Sequence, residues 1–130
     1  KFEFESRYDY LDKVNELISQ LFLRTDLAPD EIWNLKLAMH ELGINAIEHG
    51  NKLDPKKQVK VSCALYSEKL EFVIEDEGEG FDYAGIIEGI RAEEGPLFMH
   101  GRGIAIAMNI FDSVSYNRKG NKVTLVKVLR

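Results

Sequence analysis

The chain has 130 residues, of which 45% are hydrophobic and 30% are charged, so we expect one domain over residues 1–130. The formal net charge of -5 argues against direct nucleic-acid binding, because phosphate recognition requires a basic surplus. No apolar run approaches the roughly 18 residues of a membrane-spanning helix, which argues against a membrane partner. The single cysteine excludes an internal disulfide framework and favours a reducing, cytoplasmic location.

The first half of the chain predicts one strand followed by two helices. The alternation over Phe2–Ser6 is typical of a half-buried strand, and the apolar spacing over 8–24 predicts an amphipathic helix. A second helix is expected over about 29–49, with Pro29 at its start and Gly50 ending it. Because the chain begins at Lys1 and carries no signal-peptide pattern, we expect a domain excised from a longer sequence.

The second half predicts two hairpins separated by a loop region and one apolar helix. In chain order we expect strands over 59–65 and 70–75, an acidic loop over 76–82, a short helix over 83–91, a loop over 92–100, a buried helix over 104–111 and strands over 113–117 and 122–129. Hairpins make the sheet mixed but mostly antiparallel. With helices on one face, the predicted class is α+β, a two-layer α/β sandwich.

Asp76 is the first candidate for a functional side chain. It shares strand parity with the apolar residues of 70–75, so it should face the helices at the end of its strand. A core-facing carboxylate is costly unless a donor reaches it. It is therefore either a cap or turn residue or an acceptor for an exocyclic amino group such as that of adenine. Gly78 and Gly80 would let a ligand approach the main chain, and their positions argue against a calcium loop.

A second candidate cluster lies on the second helix, where Glu41, Asn45 and His49 recur at spacings of four and should stack along one line. Asn45 offers a neutral oxygen to Mg²⁺, with phosphates completing the coordination. Glu41, one turn earlier, could accept a proton from a nucleophile. A solvated polar face is the alternative reading.

The third candidate is Gly101-Arg102-Gly103, which precedes the apolar helix. Helix N-termini present free amides and partial positive charge, which attract phosphate. The run is not a dinucleotide-binding fingerprint, because no strand precedes it and the third glycine is absent. The chain also contains no Walker sequence.

Taken in order, the runs 41–51, 76–82 and 101–104 resemble the three sequence boxes of the GHKL ATPases. Within that superfamily the chain is most similar to the RsbW/SpoIIAB-type anti-sigma-factor serine kinases, over nearly its whole length. The resemblance implies the Bergerat ATP-binding fold. It also implies that Asp76 accepts from the adenine amino group beside Gly78 and Gly80, that Asn45 holds Mg²⁺, and that Glu41 is the general base.

The same resemblance assigns residues 81–100 to an ATP lid, with Gly101, Arg102 and Gly103 closing on the phosphates of ATP. It implies a protein serine kinase that phosphorylates a STAS-domain antagonist, sequesters a sigma factor and forms a homodimer. Two alternatives stay open. One is a nucleotide-dependent partner-switching module without phosphotransfer, and the other is the ATPase-like domain of a larger regulator.

Two positions depart from the family pattern. Many members carry a threonine after the glycine of the last hairpin, where this chain has Asn121; Asn121 or Thr124 could take its role. Some members carry an arginine two residues before the last glycine box, where this chain has Met99. The positive charge near the terminal phosphate, which that arginine supplies in those members, would then come from another residue: Arg91, His100 or Arg102.

Overall fold

The computed structural model describes residues 2–5, 9–52, 54, 56–80 and 99–129. In chain order the elements are β1 (Phe2–Glu5), α1 (Asp9–Phe22), α2 (Pro29–Ile44), a π-helical segment (Asn45–Gly50), β2 (Gln58–Leu65), β3 (Lys69–Glu75), α3 (Met99–Ile110), β4 (Ser113–Tyr116) and β5 (Lys122–Val128). The predicted element order is confirmed for these residues. The short helix predicted over 83–91 lies outside them, as does most of the predicted lid.

The strands form one five-stranded sheet in the order β1-β2-β3-β5-β4. Each pairing among the described strands is antiparallel, so the sheet is antiparallel rather than mixed. The turn between β2 and β3 is closed by a 2.8 Å hydrogen bond from the Tyr66 amide to the Lys69 carbonyl. The predicted α+β class is confirmed, and β3 ends beside the start of β5, next to the turn between β4 and β5.

The core lies between one face of the sheet and the helices. Alternate strand residues are buried on that face: Val59, Val61, Leu70, Phe72, Ile74, Val123 and Leu125. From the helices, Ile18, Leu35 and Met39 complete the layer with no measurable exposure. Phe72 meets Phe111 edge to face, with ring centroids 6.1 Å apart. This period of two in the strands is the physical reason why Asp76, next in the inward series, faces the helices.

The start of α2 follows from local sequence chemistry. Pro29 occupies the first helical turn, where the missing amide proton costs nothing. Glu31 accepts the amide of Ala28 through its side chain at 3.2 Å, and Asp30 adds a second negative charge near the positive end of the helix dipole. These contacts fix the residue at which α2 begins.

The end of this helix differs from the prediction. From Asn45 the chain continues as a π-helical segment, and the Asn51 amide bonds the Ala46 carbonyl five residues earlier at 2.8 Å. The regular spacing of four therefore relates Glu41 to Asn45 but does not extend to His49. The wider turn carries Gly50 toward the end of β3.

Helix α3 begins at Met99, earlier than predicted, so Gly101 and Gly103 lie inside its first turns rather than before them. Ile104 and Ala107 of the helix are buried, as is Phe111 directly after it, but Asn109 is exposed. The prediction of a helix buried all round is therefore wrong, because α3 packs through one face only. Within the described ranges, no helix has the length and apolarity to span a bilayer.

Candidate functional site

A cleft opens where β3 ends, between the π-helical segment and the turn that joins β4 to β5. Its apolar lining consists of Leu42, Ala46, Ile74 and Val123. Its polar lining consists of Asn45, Asp76, Tyr116 and Asn121, and Gly50, Gly80 and Gly120 contribute backbone. An apolar lining with a few polar groups is usual for a small-molecule site.

Asp76 supplies the carboxylate of this cleft. The Gly78 amide donates a 2.7 Å hydrogen bond to its Oδ1. Burial raises the pKa of the Asp76 carboxyl above its ordinary value, while that hydrogen bond and the charges of Lys119 and Lys57 oppose the rise. The carboxylate is therefore a partly desolvated acceptor, which a ligand that donates a hydrogen bond to it would stabilise.

Gly50 and Gly78 are required by close packing around this carboxylate. A Cβ atom on Gly50 would overlap the Asp76 carboxylate, and one on Gly78 would overlap the Gly50 carbonyl oxygen. Gly78 was predicted as a site residue, whereas Gly50 was interpreted only as the end of a helix. The sequence signal for Gly50 was its place in the run 41–51, but its contact with residue 76 depends on the tertiary fold.

Gly80 brings the loop after β3 against the turn between β4 and β5. Its φ of 86° lies in the left-handed region, and a Cβ atom there would overlap the Lys119 carbonyl oxygen. The predicted role of Gly80, close approach of main chain at the site, is consistent with this position on the wall of the cleft.

Asn51 ties the π-helical segment to both neighbouring strands, and sequence reasoning missed it. Its side chain is fully buried. Its Nδ2 donates to the Gln58 carbonyl at 3.1 Å, and its Oδ1 accepts the Glu77 amide at 2.7 Å. The Gln58 amide in turn bonds the Glu77 carboxylate. These contacts hold the residue after Asp76 against the start of β2, and thereby the floor of the cleft.

At the opposite side of the cleft, α2 meets the first turns of α3. A Cβ atom on Gly103 would lie 2.9 Å from Asn45 Nδ2 and 3.4 Å from Glu41 Cβ. The absence of a side chain at Gly103 is thus what lets the two helices approach at Asn45. Asn45 belongs to both regions, since it lines the cleft with Asp76 and contacts Gly103.

The main-chain amides of α3 lie beside this contact. Gly101 and Arg102 lie in the first turn of the helix as the structure describes it. The predicted anion-binding role of this helix end stays a prediction. The three predicted clusters therefore meet, with Asp76 on one side, Gly101 to Gly103 on the other, and Asn45 between them.

Tyr116 and Asn121 complete the cleft from the last hairpin. Burial and the nearby charge of Asp76 raise the pKa of the Tyr116 hydroxyl, which stays a neutral donor at neutral pH. Asn121 donates from Nδ2 to the Asp76 carbonyl at 2.9 Å. Thr124, the other candidate for the missing threonine, pairs with Val73 on the outer face of the sheet and does not reach the cleft. Asn121 alone occupies that position.

A larger cleft, of about 660 Å³, lies at the other end of the sheet. It is formed by the loop between α1 and α2, the turn after β2 and the end of β5, with Arg24, Glu31 and Lys127 among its polar residues. None of the predicted site residues lines it. The length of β3, about 20 Å, separates it from Asp76.

Comparison with known proteins assigns the chain to a family. The family model described as the histidine kinase-like ATPase domain matches residues 4–127. The chain belongs to this family, and within it to the RsbW-type GHKL proteins. A solved histidine kinase domain, from a blue-light-activated histidine kinase of Erythrobacter litoralis, shares the fold with a TM-score of 0.56 and 17% identity. The match covers 93% of this chain and 59% of that one.

Curated relatives place the chain on one branch of the family. It is 30% identical to an anti-sigma F factor of Oceanobacillus iheyensis over 86% of this chain and 80% of that protein. It is 27% identical to the serine-protein kinase RsbW of Bacillus subtilis over 93% and 79%, respectively.

Proposed function

We propose that this chain is an ATP-dependent protein serine kinase that also acts as an anti-sigma factor. Its substrate would be a serine of a STAS-domain antagonist, and its sequestered partner a sigma factor, which would give it a cytoplasmic location. The observation that carries the proposal is that Asp76 and Asn45 line one cleft and that Gly103 lies against Asn45, with Glu41 one helical turn away. The relatives named as serine kinases and anti-sigma factors support the same reading.

ATP would enter with its adenine between the apolar residues of the cleft and its amino group donating to Asp76. The apolar faces of Ala46 and Ile74 favour a planar ring, and the partly desolvated carboxylate favours a donor. The phosphates would extend toward the start of α3, where Gly101, Arg102 and Gly103 lie near the positive end of the helix dipole.

Asn45 fits a magnesium site of the kind that uses few protein ligands. It is half-buried, lines the cleft with Asp76, lies against Gly103 and offers one neutral oxygen, to which phosphate oxygens would add. Magnesium would neutralise charge on the phosphates when bound. Glu41 would accept the proton of the attacking serine hydroxyl, because it stands one turn before Asn45 on the same row of α2.

Exposed apolar side chains on α2 support a protein as the second substrate. Trp33 is 69% exposed and Leu37 38% exposed, and both precede Glu41 at successive spacings of four. Neighbours at this spacing form one continuous ridge on a helix. A protein seated on the ridge would reach Glu41 with a hydroxyl from the side away from the sheet. The proposal also includes a homodimer of this chain, as the family resemblance implies.

The decisive experiment is incubation of the purified chain with labelled ATP, Mg²⁺ and a candidate STAS-domain protein. We expect label on a serine of that protein with wild type and transfer slower by about 10²- to 10⁴-fold with Glu41→Gln. A second candidate function, nucleotide-dependent binding without phosphotransfer, is favoured by Met99, which stands where some relatives carry arginine. ATP-dependent binding of a partner without label on any serine would establish that alternative and overturn the kinase proposal.

A further inference from the structure

The turn between β4 and β5 is organised by one side chain, Asn117. Its Oδ1 accepts the amides of Gly120, Asn121 and Lys122 at 2.8, 3.1 and 3.2 Å. The turn is also closed by main-chain bonds between Asn117 and the residues Gly120 and Lys122. With three backbone amides on Oδ1, the side-chain amide of Asn117 has one usable orientation, in which Nδ2 points away from the turn backbone.

That Nδ2 group begins a short relay of side-chain amides. It donates to Asn121 Oδ1 at 2.8 Å, which in turn orients the Asn121 amide. Asn121 Nδ2 then donates to the main-chain carbonyl of Asp76 at 2.9 Å. The Asp76 amide returns a bond to the Asn121 carbonyl at 2.9 Å. Asp76 is therefore held on both its amide and its carbonyl by one residue of the opposite turn.

The relay acts where the strand would otherwise fray. The pairing of β3 with β5 ends at Glu75 and Lys122, and Asp76 is the first residue beyond it. The side chain of Asp76 is short, so the position of its main chain decides where the carboxylate lies in the cleft. Hydrogen bonds weaken steeply as their angle departs from linearity, so a small rotation of Asp76 would change which base it prefers.

We propose that Asn117 and Asn121 are positioning residues that set the base selectivity of the cleft by fixing the main chain of Asp76. This inference rests on the proposed nucleotide site. A fixed carboxylate accepts from the amino group of adenine and repels the carbonyl oxygen of guanine at the same place. Asn121 thereby supports base recognition by holding the main chain of Asp76, and Asn117 sets the orientation of the Asn121 side chain.

The test uses a variant that separates the relay from the turn. Asn117→Asp keeps an oxygen for the three turn amides but replaces the Nδ2 donor with a second acceptor facing Asn121 Oδ1. Asn121→Ala removes the relay at its second member. Arg118→Gln, exposed in the same turn, lowers the charge by the same amount as Asn117→Asp and serves as the matched control.

We expect the ratio of GTP to ATP dissociation constants to fall by roughly two- to tenfold in Asn117→Asp and in Asn121→Ala, the effect of one hydrogen bond. Arg118→Gln should leave the ratio unchanged. Because the two residues act in series, the double variant should lose no more selectivity than Asn121→Ala alone. Unchanged selectivity in Asn117→Asp, or additive losses in the double variant, would overturn the relay while leaving the nucleotide site in place.

A second readout needs no nucleotide. Amide hydrogen exchange at Asp76 and Gly78 should accelerate in Asn117→Asp and not in Arg118→Gln, since the Asp76 amide bonds the residue that the relay orients. Equal protection of the Asp76 amide in wild type and Asn117→Asp would refute the relay, whatever the chain binds. If the wild-type chain does not bind ATP at all, the proposed function is refuted instead.

Discussion

Gly50 lies so close to Asp76 that a Cβ atom on residue 50 would overlap both oxygens of the carboxylate. The π-helical segment produces this contact, because it carries the end of the helix over the end of β3. The two residues stand 26 positions apart in the sequence. The acceptor of the cleft is thus held against a backbone that allows no side chain.

Gly50→Ala should therefore displace the Asp76 carboxylate and weaken ATP binding. Overpacking of a tight contact also costs stability, typically about 1–3 kcal/mol. Calorimetric titration with ATP and chemical denaturation measure the two effects. Gly103→Ala is the graded comparison, since its Cβ would meet the movable end of the Asn45 side chain at 2.9 Å and should cost less stability. Equal ATP affinity in Gly50→Ala and wild type would show that the contact does not position the carboxylate.

Part of this site could be predicted from the sequence, and local periodicity explains which part. Strand parity placed Asp76 on the inner face, and the helical spacing of four placed Glu41 one turn from Asn45. The family resemblance added the order of the three clusters. These inferences needed only residues within one element or one ordered motif.

The remainder depends on contacts between distant segments. Nothing local in the run 41–50 signals the change to π-helical hydrogen bonding, so the spacing of four was extended beyond Asn45, where the backbone no longer follows it. The bonds of Asn51 to Gln58 and Glu77 link three separate segments, and those of Asn121 to Asp76 span 45 residues. Asparagine in a loop is ordinarily a turn residue, and only the tertiary fold distinguishes these two.

Glu41→Gln should separate chemistry from binding. The substitution keeps the size of the side chain but removes the base, so ATP affinity should stay near the wild-type value while phosphotransfer falls about 10²- to 10⁴-fold. Single-turnover transfer of label to the protein substrate, with ATP affinity measured in parallel, gives both numbers. Transfer at the wild-type rate would remove Glu41 from the mechanism.

Asn45→Ala should weaken nucleotide binding in a magnesium-dependent way. The side chain offers the neutral oxygen proposed for the metal, so its loss should matter with Mg²⁺ present and little when the metal is chelated. Titrations of ATP with Mg²⁺ and with chelator, on wild type and variant, measure this difference. The same loss of affinity in both conditions would indicate that Asn45 supports the cleft by packing against Gly103 and does not hold the metal.

Asp76→Asn should remove a pH dependence from the stability of the nucleotide-free fold. Burial raises the folded pKa of Asp76 above 3.8, its ordinary value, so the folded chain binds more protons than the unfolded chain between the two values. Wild-type stability should therefore fall relative to the variant as pH rises from 3.8 to the folded pKa, and the difference should be constant above it. Melting temperatures across this range check the sign. A stability difference that does not change with pH, or that changes in the opposite sense, would contradict it.

The most direct test of the account is calorimetric titration of ATP and GTP, with Mg²⁺, into wild type and Asp76→Asn. The amide of asparagine presents a donor toward the adenine amino group, and the lost charged hydrogen bond is worth about 1.5–3 kcal/mol. We predict that wild type binds ATP at one site and prefers it to GTP, and that Asp76→Asn binds ATP roughly ten- to hundredfold more weakly. Equal ATP affinity in the two proteins, or equal affinity of wild type for ATP and GTP, would contradict the assignment of this cleft to adenine.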